Sequence, residues 1–202
     1  YYAAGKDRSS VERLPQMELL REKGLEVLYL FDRVDEFAID SMREYKEKKF
    51  HSISRGELKL QELESPAAKK DSEAIAKENE ALIQAVKEQL SGRVADVKIS
   101  NRLKSSAVCL VSGDDGISLS MEQILSEMDK SMYKAKRILE LNPEHELFSV
   151  LKNVHTESPA SENFKDYCEL LYGQALLMEG LTPEDPIEFA NKIARLMVNP
   201  AK

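Results

Sequence analysis

The closing part of the chain, residues 161–198, carries more apolar surface than one pair of helices can bury by itself. Between residues 161 and 178, apolar side chains recur at three- and four-residue steps, and additional leucines widen the stripe beyond one helix face. Gly180 indicates a helix end, and Asp185 followed by Pro186 supplies a cap and a first helical residue. The pattern therefore predicts two antiparallel helices that need a neighbour on more than one side.

A helix pair of this kind at the end of a chain is typical of a symmetric interface, since a second copy would complete a four-helix bundle. Burying about ten apolar side chains per partner, at roughly 1.5 to 3 kcal/mol each, exceeds the ~4 to 15 kcal/mol lost on association. Packing of the pair on its own domain, in a monomer, is the alternative that the pattern leaves open. The predicted dimer interface consists of Phe164, Tyr167, Leu171, Ala175, Met178, Phe189, Ile193, Leu196 and Met197.

Composition limits the compartment and the class of partner. The net charge of −7 over 202 residues argues against nucleic acid as the main partner, because phosphate binding needs a basic face. Cys109 and Cys168 each lie in an apolar run, so we expect reduced core residues in a cytoplasmic protein. No apolar run approaches the ~20 residues of a membrane span. The start at Tyr1 has neither an initiator Met nor a signal peptide, so we expect a piece of a longer protein.

Residues 1–60 alternate strand and helix, which predicts a small α/β module. The run at 25–31 is almost entirely apolar and is typical of a strand covered on both faces in a parallel sheet. A strand end at 1–4, a helix at 16–23 and a strand at 49–54 accompany it, with a helix whose face carries Phe37, Ile39, Met42 and Tyr45.

A charged, partly helical linker at 61–71 separates this module from a second domain at 72–202. There we predict one helix from about 72 to 90, strands at 94–99, 107–111 and 137–141, and a helix opened by Pro143. The expected fold is α+β overall: an α/β module, then an α+β dimerisation domain with a short sheet and a C-terminal helical bundle.

An amphipathic helix follows the flexible loop at 112–116. Its apolar face is rich in methionine, whose flexible thioether suits a surface that accepts many different apolar partners. A helix lying on its own sheet would show the same periodicity, and this alternative stays open at this point. The predicted client-binding residues are Ile117, Met121, Ile124, Leu125 and Met128.

The candidate catalytic groups are few. Asp32, Asp35 and Glu36 follow the central strand, where an α/β enzyme places acid-base or metal carboxylates, but helix capping and first-turn acids are the favoured explanation. No glycine-rich phosphate loop accompanies them. The three histidines, His51, His145 and His155, lack the spacing of a zinc site or a hydrolase triad, so we expect surface or capping residues and no metal.

Five separated blocks of the sequence resemble one family in the same order along the chain. They are GLEVLYLFDRVDEF (24–37), DVKISNRL (96–103), LELNPEH (139–145), LLYGQALL (170–177) and EDP (184–186). Together they are similar to the ninety-kilodalton heat-shock chaperones, and to the bacterial branch in particular. The resemblance covers nearly the whole chain.

This resemblance implies a fold and a function. Residues 1–60 would be the end of the family's middle domain, 61–71 a linker, and 72–202 the C-terminal domain whose last two helices form a homodimer. The amphipathic helix would bind partly folded client proteins. ATP and Mg²⁺ would bind elsewhere in the parent protein, so this portion would not itself be an enzyme, although co-chaperones could bind it. The rival functions are a dimerisation scaffold without client binding and a small-molecule enzyme that uses Asp32, Asp35 and Glu36.

Overall fold

The computed structural model describes residues 1–32, 34–58, 66–127 and 134–198. These residues form a mixed α+β fold, as the sequence predicts. An N-terminal module, residues 1–58, packs against a C-terminal module, residues 66–198. Each module has a core of its own.

The N-terminal module is built on a two-stranded parallel sheet flanked by short helices. Asp7 caps the first helix, since its Oδ1 accepts a hydrogen bond from the Ser10 amide at 2.8 Å. Gly24, with φ +64°, ends the second helix. The elements are β1 (Tyr2–Ala4), α1 (Arg8–Glu12), a 3-10 turn (Pro15–Met17), α2 (Glu18–Glu22), β2 (Leu28–Leu30), α3 (Asp35–Met42), β3 (Glu44–Tyr45) and β4 (Lys48–Lys49).

Two expectations about this module need correction. The apolar run at 25–31 forms a strand only at 28–30, and Leu28 is 54% exposed because β2 is the edge of a sheet two strands wide. The expected strand at 49–54 does not form: β4 ends at Lys49, the end of a short hairpin with β3 turned by Lys46 and Glu47 at positive φ, and Ser52 makes only an isolated parallel bridge to Tyr2. Parallel pairing of β2 with β1 agrees with the prediction.

The C-terminal module surrounds a three-stranded sheet in the order β5–β7–β6, with β5 parallel and β6 antiparallel to the central strand. All five residues of β6 are buried. The elements are α4 (Pro66–Glu78), α5 (Glu80–Gln89), β5 (Asp96–Ile99), β6 (Val108–Ser112), α6 (Leu119–Glu127), β7 (Arg137–Leu141), α7 (Glu146–Glu157), α8 (Glu162–Met178) and α9 (Pro186–Val198).

The predicted helix from about 72 to 90 is two helices. The break lies at Asn79, whose backbone leaves helical geometry and whose side-chain amide donates to the Ile75 carbonyl at 2.8 Å. The helical region already begins at Pro66, so the C-terminal part of the expected linker is helical. Residues 61–65 of that linker lie outside the described residues.

The larger core lies between the C-terminal sheet and helices α5, α7 and α8. It includes Leu110, Leu139, Leu151, Phe164 and Cys168, all nearly inaccessible. Cys109 and Cys168 are free and buried, as predicted. Within the described ranges, no helix combines the length and apolar character that crossing a membrane requires.

Candidate interaction surfaces

Helix α8 forms a wall of the C-terminal core. Ser161 caps it, since its hydroxyl accepts from the Phe164 amide at 3.2 Å. Phe164, Leu171 and Ala175, three of the residues predicted for a dimer interface, are at most 5% exposed within a single chain. Their apolar surface is therefore already covered by their own module. Two other predicted interface residues of α8, Tyr167 and Met178, are partly buried.

Helix α9 is held to α8 by charged side chains. Arg195 binds Asp166 through two hydrogen bonds of 2.9 Å, and Asp166 is only 2% exposed. Lys192 pairs with Glu169 one turn further along α8. Because these paired carboxylates sit on α8, Lys192 and Arg195 reach across to α8 beside partly buried apolar residues of α9, and the opposite face of α9 is left for solvent or a partner.

A close helix contact accompanies the ion pairs. The Phe189 ring lies directly against Gly173 of α8, and a Cβ added at position 173 would come within 2.6 Å of the ring's Cδ2. The absence of a side chain at Gly173 is therefore what allows α9 to approach α8. Phe189, Ile193 and Leu196, all predicted as dimer contacts, are partly buried on α9.

The outer face of α9 carries an exposed apolar stripe. None of the thirteen residues of this helix is buried, and Ile187 and Met197 are 76% and 78% exposed. Ala190 and Ala194 lie between them and are also exposed, which gives steps of three, four and three residues. We call Ile187, Ala190, Ala194 and Met197 the terminal stripe. Of these four residues, the sequence analysis predicted only Met197 as a dimer contact, although their heptad spacing is visible in the sequence.

Helix α6 turns part of its apolar face into the core. Leu119 is 2% and Met121 7% exposed, so Met121, a predicted client contact, is mainly a packing residue. Ile124 and Leu125 are partly exposed, and Ile117 packs at the margin of the core. The remaining predicted client residue, Met128, lies outside the described residues.

The polar residues of α6 fix its orientation. Glu122 binds the Arg137 guanidinium at 2.8 Å and also accepts from the Ala135 amide at 3.0 Å. Gln123 donates to the Glu179 backbone carbonyl at 2.9 Å, at the end of α8. Ser120 donates to Glu36 of the N-terminal module. These contacts point Ile124 towards the junction of the two modules.

A cavity of about 450 Å³ lies at that junction. Ile124 and Gln123 line one side, and Leu30 and Phe31 line the other. Phe31 is 43% exposed. On α3, next to Glu36 of the cavity wall, Phe37 is also exposed. The exposed face of α6 is thus flanked by further apolar surface from the N-terminal module.

The three acidic candidates do not form a convergent catalytic cluster. Asp35 is the first residue of α3 and accepts a hydrogen bond from the Asp32 amide at 3.1 Å, within the turn that leads into the helix. Glu36 is 3% exposed and its carboxylate is engaged by Ser120 and lies 4.0 Å from Arg55. Among the described residues, no group of three or more His, Cys, Asp and Glu could hold a metal ion.

The histidines occupy structural positions. His145 caps α7, since its Nδ1 accepts from the Leu147 amide at 3.1 Å. His155 lies against the Phe164 ring in a tilted arrangement, with 5.2 Å between ring centroids. His51 lies near the Tyr1 ring at 6.2 Å. The capping role expected for a histidine is therefore found at His145.

The two modules are joined by a buried arginine that the sequence did not reveal. Arg102 is fully buried and donates to the carbonyls of Ile53 and Gly56 at 2.7 and 2.6 Å. Its remaining donors bind both carboxylate oxygens of Glu140 at 2.9 and 3.0 Å. Ser100 donates to the same carboxylate at 2.7 Å. One guanidinium thus satisfies two backbone carbonyls of the neighbouring module.

A second polar contact crosses the junction beneath α6. Gln16 is fully buried, and its amide donates to the Leu110 carbonyl at 2.6 Å and to the Glu179 carboxylate at 2.5 Å. Burial raises the pKa of Glu179 to about 7, although the hydrogen bond from Gln16 opposes the shift. The carboxyl therefore changes charge near neutral pH at a position that touches both modules.

Comparison with known proteins identifies the family. The sequence matches the family model described as Hsp90 protein over residues 1–201. The chain is 44% identical over 198 residues to chaperone protein HtpG of Clostridium acetobutylicum, which covers 98% of the chain and 30% of that relative. Identity to HtpG of Alkaliphilus oremlandii is 45% over 199 residues, which cover 98% of the chain and 31% of that relative. Identity to HtpG of Geobacter sulfurreducens is 40% over 203 residues, which cover 100% of the chain and 31% of that relative.

The chain thus spans less than a third of the length of these relatives. The similarity nevertheless extends along the entire chain, as the five sequence blocks indicated. It includes both modules and the helices α6, α8 and α9. On these grounds the chain belongs to the Hsp90 family.

Proposed function

We propose that this chain is the dimerising C-terminal portion of an ATP-dependent, cytoplasmic chaperone. The terminal stripe joins two copies, and the exposed part of α6 binds partly folded client proteins. The observation that carries the proposal is the arrangement of α9, whose Lys192 and Arg195 are paired with α8 while the terminal stripe, on the opposite face, is exposed. The relatives named above are chaperones, which supports the client-binding role.

The terminal stripe is better explained as a contact with a second copy of the chain than as a surface that faces solvent. Isolated exposed apolar residues are ordinary, but a stripe at heptad spacing is the pattern of a helix packed against another helix. Alanines in the middle of the stripe let two backbones approach closely. Leu177 of α8, which is 51% exposed, and Val198, which is 76% exposed, add to the exposed apolar surface. At roughly 1.5 to 3 kcal/mol for each large side chain on both copies, burial offsets the ~4 to 15 kcal/mol cost of association.

The predicted interface residues therefore have different roles. Phe164, Leu171 and Ala175 support the dimer from inside, by fixing α8 on the core. Phe189, Ile193 and Leu196 lie closer to α8. The direct contact between copies is assigned to the terminal stripe, in which Met197 is the residue shared with the sequence prediction.

For clients, we assign Ile124 and Leu125 of α6 together with Phe31 across the cavity. Their side chains are partly exposed, apolar and supplied by two modules, so a bound segment would contact both. Apolar contacts without directional hydrogen bonds are suited to unfolded chains of differing sequence. Ile117 and Met121 hold the helix on the core, and we assign them a supporting role.

ATP and Mg²⁺ are proposed to bind in parts of the parent protein outside residues 1–202. The described residues contain no three-carboxylate or histidine cluster that would hold the metal ion. We assign residues 1–60 to the family's middle domain, 61–71 to the linker and 72–202 to the dimerisation domain. No step of ATP hydrolysis is assigned to side chains of this chain.

The client assignment is tested with paired substitutions on α6. The variant Ile124→Ser with Leu125→Ser should keep the melting temperature and the dimer but lose the ability to suppress aggregation of a partly unfolded test protein. Ser126→Ala, on the exposed side of the same helix, is the matched control. Unchanged suppression by the double variant would favour the rival function, a dimerisation scaffold without client binding.

A further inference from the structure

The loop at residues 104–106 in the C-terminal module contains a concentrated set of hydrogen-bond donors. The backbone amides of Lys104, Ser105 and Ser106 all point at one carboxylate, that of Glu18 in the N-terminal module. The N···O distances are 2.6, 2.8 and 3.1 Å. Successive amides that converge on one point form a nest, an arrangement that binds anions.

Two side chains complete the set. The Ser105 hydroxyl donates to Glu18 Oε1 at 2.9 Å, and the Ser106 hydroxyl donates to the same oxygen at 2.6 Å. Glu18 thus accepts from three amides and two hydroxyls. Burial alone would raise the pKa of Glu18, but the hydrogen bonds from Ser106, Lys104 and Ser105 outweigh burial and lower it.

This contact differs from the Arg102 contact in its access to solvent. Arg102 is fully buried, whereas Lys104 and Ser105 are exposed and Glu18 is partly exposed. A small anion in solution could therefore reach the loop without the core being opened. The donors are backbone amides and short hydroxyls on a chain fixed at both ends, by Leu103 on one side and the start of β6 on the other.

We propose that the loop 104–106 is a carboxylate-binding nest, that Glu18 is its resident ligand, and that the pair forms a solvent-accessible latch between the two modules. A small monocarboxylate such as formate can take the place of the Glu18 side chain. The proposal does not depend on dimerisation or on client binding, since every group involved lies at the junction within one chain.

The test uses the whole chain with Glu18→Ala. Removing the carboxylate leaves five donors without their shared acceptor, so Tm should fall by roughly 3 to 8 °C. Formate, titrated at constant ionic strength against chloride, should restore part of that fall in Glu18→Ala. In an NMR spectrum, the amide signals of Lys104, Ser105 and Ser106 should shift with formate and reach saturation.

Glu22→Ala is the matched control. Glu22 lies on the same helix and pairs only weakly with the Lys104 ammonium, at 3.5 Å, so its removal should neither lower Tm appreciably nor create a formate response. A formate effect of equal size in wild type, Glu22→Ala and Glu18→Ala, or amide shifts that never saturate, would overturn the proposal.

If the alanine variant does not fold, the variant Glu18→Gln still tests the proposal. Gln fills the loop and retains one acceptor oxygen, but it lacks the charge and places an amide group among donors. We expect a smaller loss of Tm and no formate response, because the site is occupied. Wild-type Tm in Glu18→Gln would show that the nest does not select a carboxylate.

Discussion

The ring of Phe189 on α9 occupies the space where a side chain at Gly173 of α8 would lie. Gly173→Ala should therefore push α9 away from α8, even though alanine usually stabilises a helix interior by about 1 kcal/mol relative to glycine. We expect a net loss of roughly 1 to 3 kcal/mol in the free energy of unfolding, measured by urea denaturation.

A loss of stability in Gly173→Ala would show that packing against Phe189 dominates, whereas a gain would show that helix propensity dominates. Gln174→Ala, at the next position of α8, should change stability by no more than about 0.5 kcal/mol. Phe189→Ala combined with Gly173→Ala should cost less than the sum of the two single changes, since removal of the ring creates room for the added methyl group. Stabilisation by Gly173→Ala alone would show that the contact does not constrain the helix pair.

Arg102 should be the most sensitive single position at the junction. Arg102→Met leaves Glu140 charged and 95% inaccessible without its partner, since Glu140 is only 5% exposed. We expect a loss of roughly 3 to 5 kcal/mol in urea denaturation. Lys87→Met is the control, because Lys87 and Asp96 form an ion pair of the same length, 2.9 Å, at the surface.

That control should cost less than about 1 kcal/mol, since exposed ion pairs contribute little. Adding Glu140→Gln to Arg102→Met should recover part of the loss, because the unpaired buried charge is then removed. Equal effects of Arg102→Met and Lys87→Met would contradict the central role of Arg102.

Stability should fall as the pH rises towards neutrality, on account of Glu179. The pKa of this carboxyl is raised from its ordinary 4.5 to about 7, so the folded state holds a proton that the unfolded state releases. The stabilising contribution is complete below about pH 4.5 and is lost as the pH passes through 7. The difference in pKa corresponds to roughly 3 kcal/mol.

Urea denaturation at a series of pH values between these limits measures this contribution. Glu179→Gln cannot titrate, so its stability should vary less with pH across the same window. A wild-type profile identical to that of Glu179→Gln would show that Glu179 does not carry the effect.

The terminal stripe predicts a selective effect of charge. Ile187→Asp with Met197→Asp should turn a dimer into a monomer in which each chain is still folded, since both side chains are exposed in one copy. Met42→Asp, at a methionine 51% exposed on α3, should leave the dimer intact. Sedimentation velocity separates these outcomes. Dissociation of the dimer by Met42→Asp as well would show that the effect is not specific to the terminal stripe.

Patterns within one element were predictable from the sequence. The periodicity at 161–198 predicted both terminal helices, and Gly180, Asp185 and Pro186 predicted where one ends and the next begins. Asp185 does cap α9, accepting from the amides of Ile187 and Glu188 at 3.0 and 2.9 Å. Capping hydrogen bonds join residues that are close together in the sequence, so the sequence pattern alone predicts them.

Contacts between distant elements could not be predicted in this way. Arg102 looked like a loop residue, because its partners Ile53, Gly56 and Glu140 are 38 to 49 positions away. The ion pairs between α9 and α8 were also missed, since Glu169 and Asp166 are 23 and 29 positions from their partners. Together with the contact of Phe189 on Gly173, these pairs decide which face of α9 turns inward. The assignment of direct dimer contacts changed for that reason.

The mass of the unmodified chain in solution tests the central claim most directly. Sedimentation equilibrium over a dilution series should give a dimer, twice the chain mass of 22.9 kDa, that dissociates only at low concentration. A mass of one chain at every concentration, including the highest, would contradict the assignment of the terminal stripe as the contact between copies.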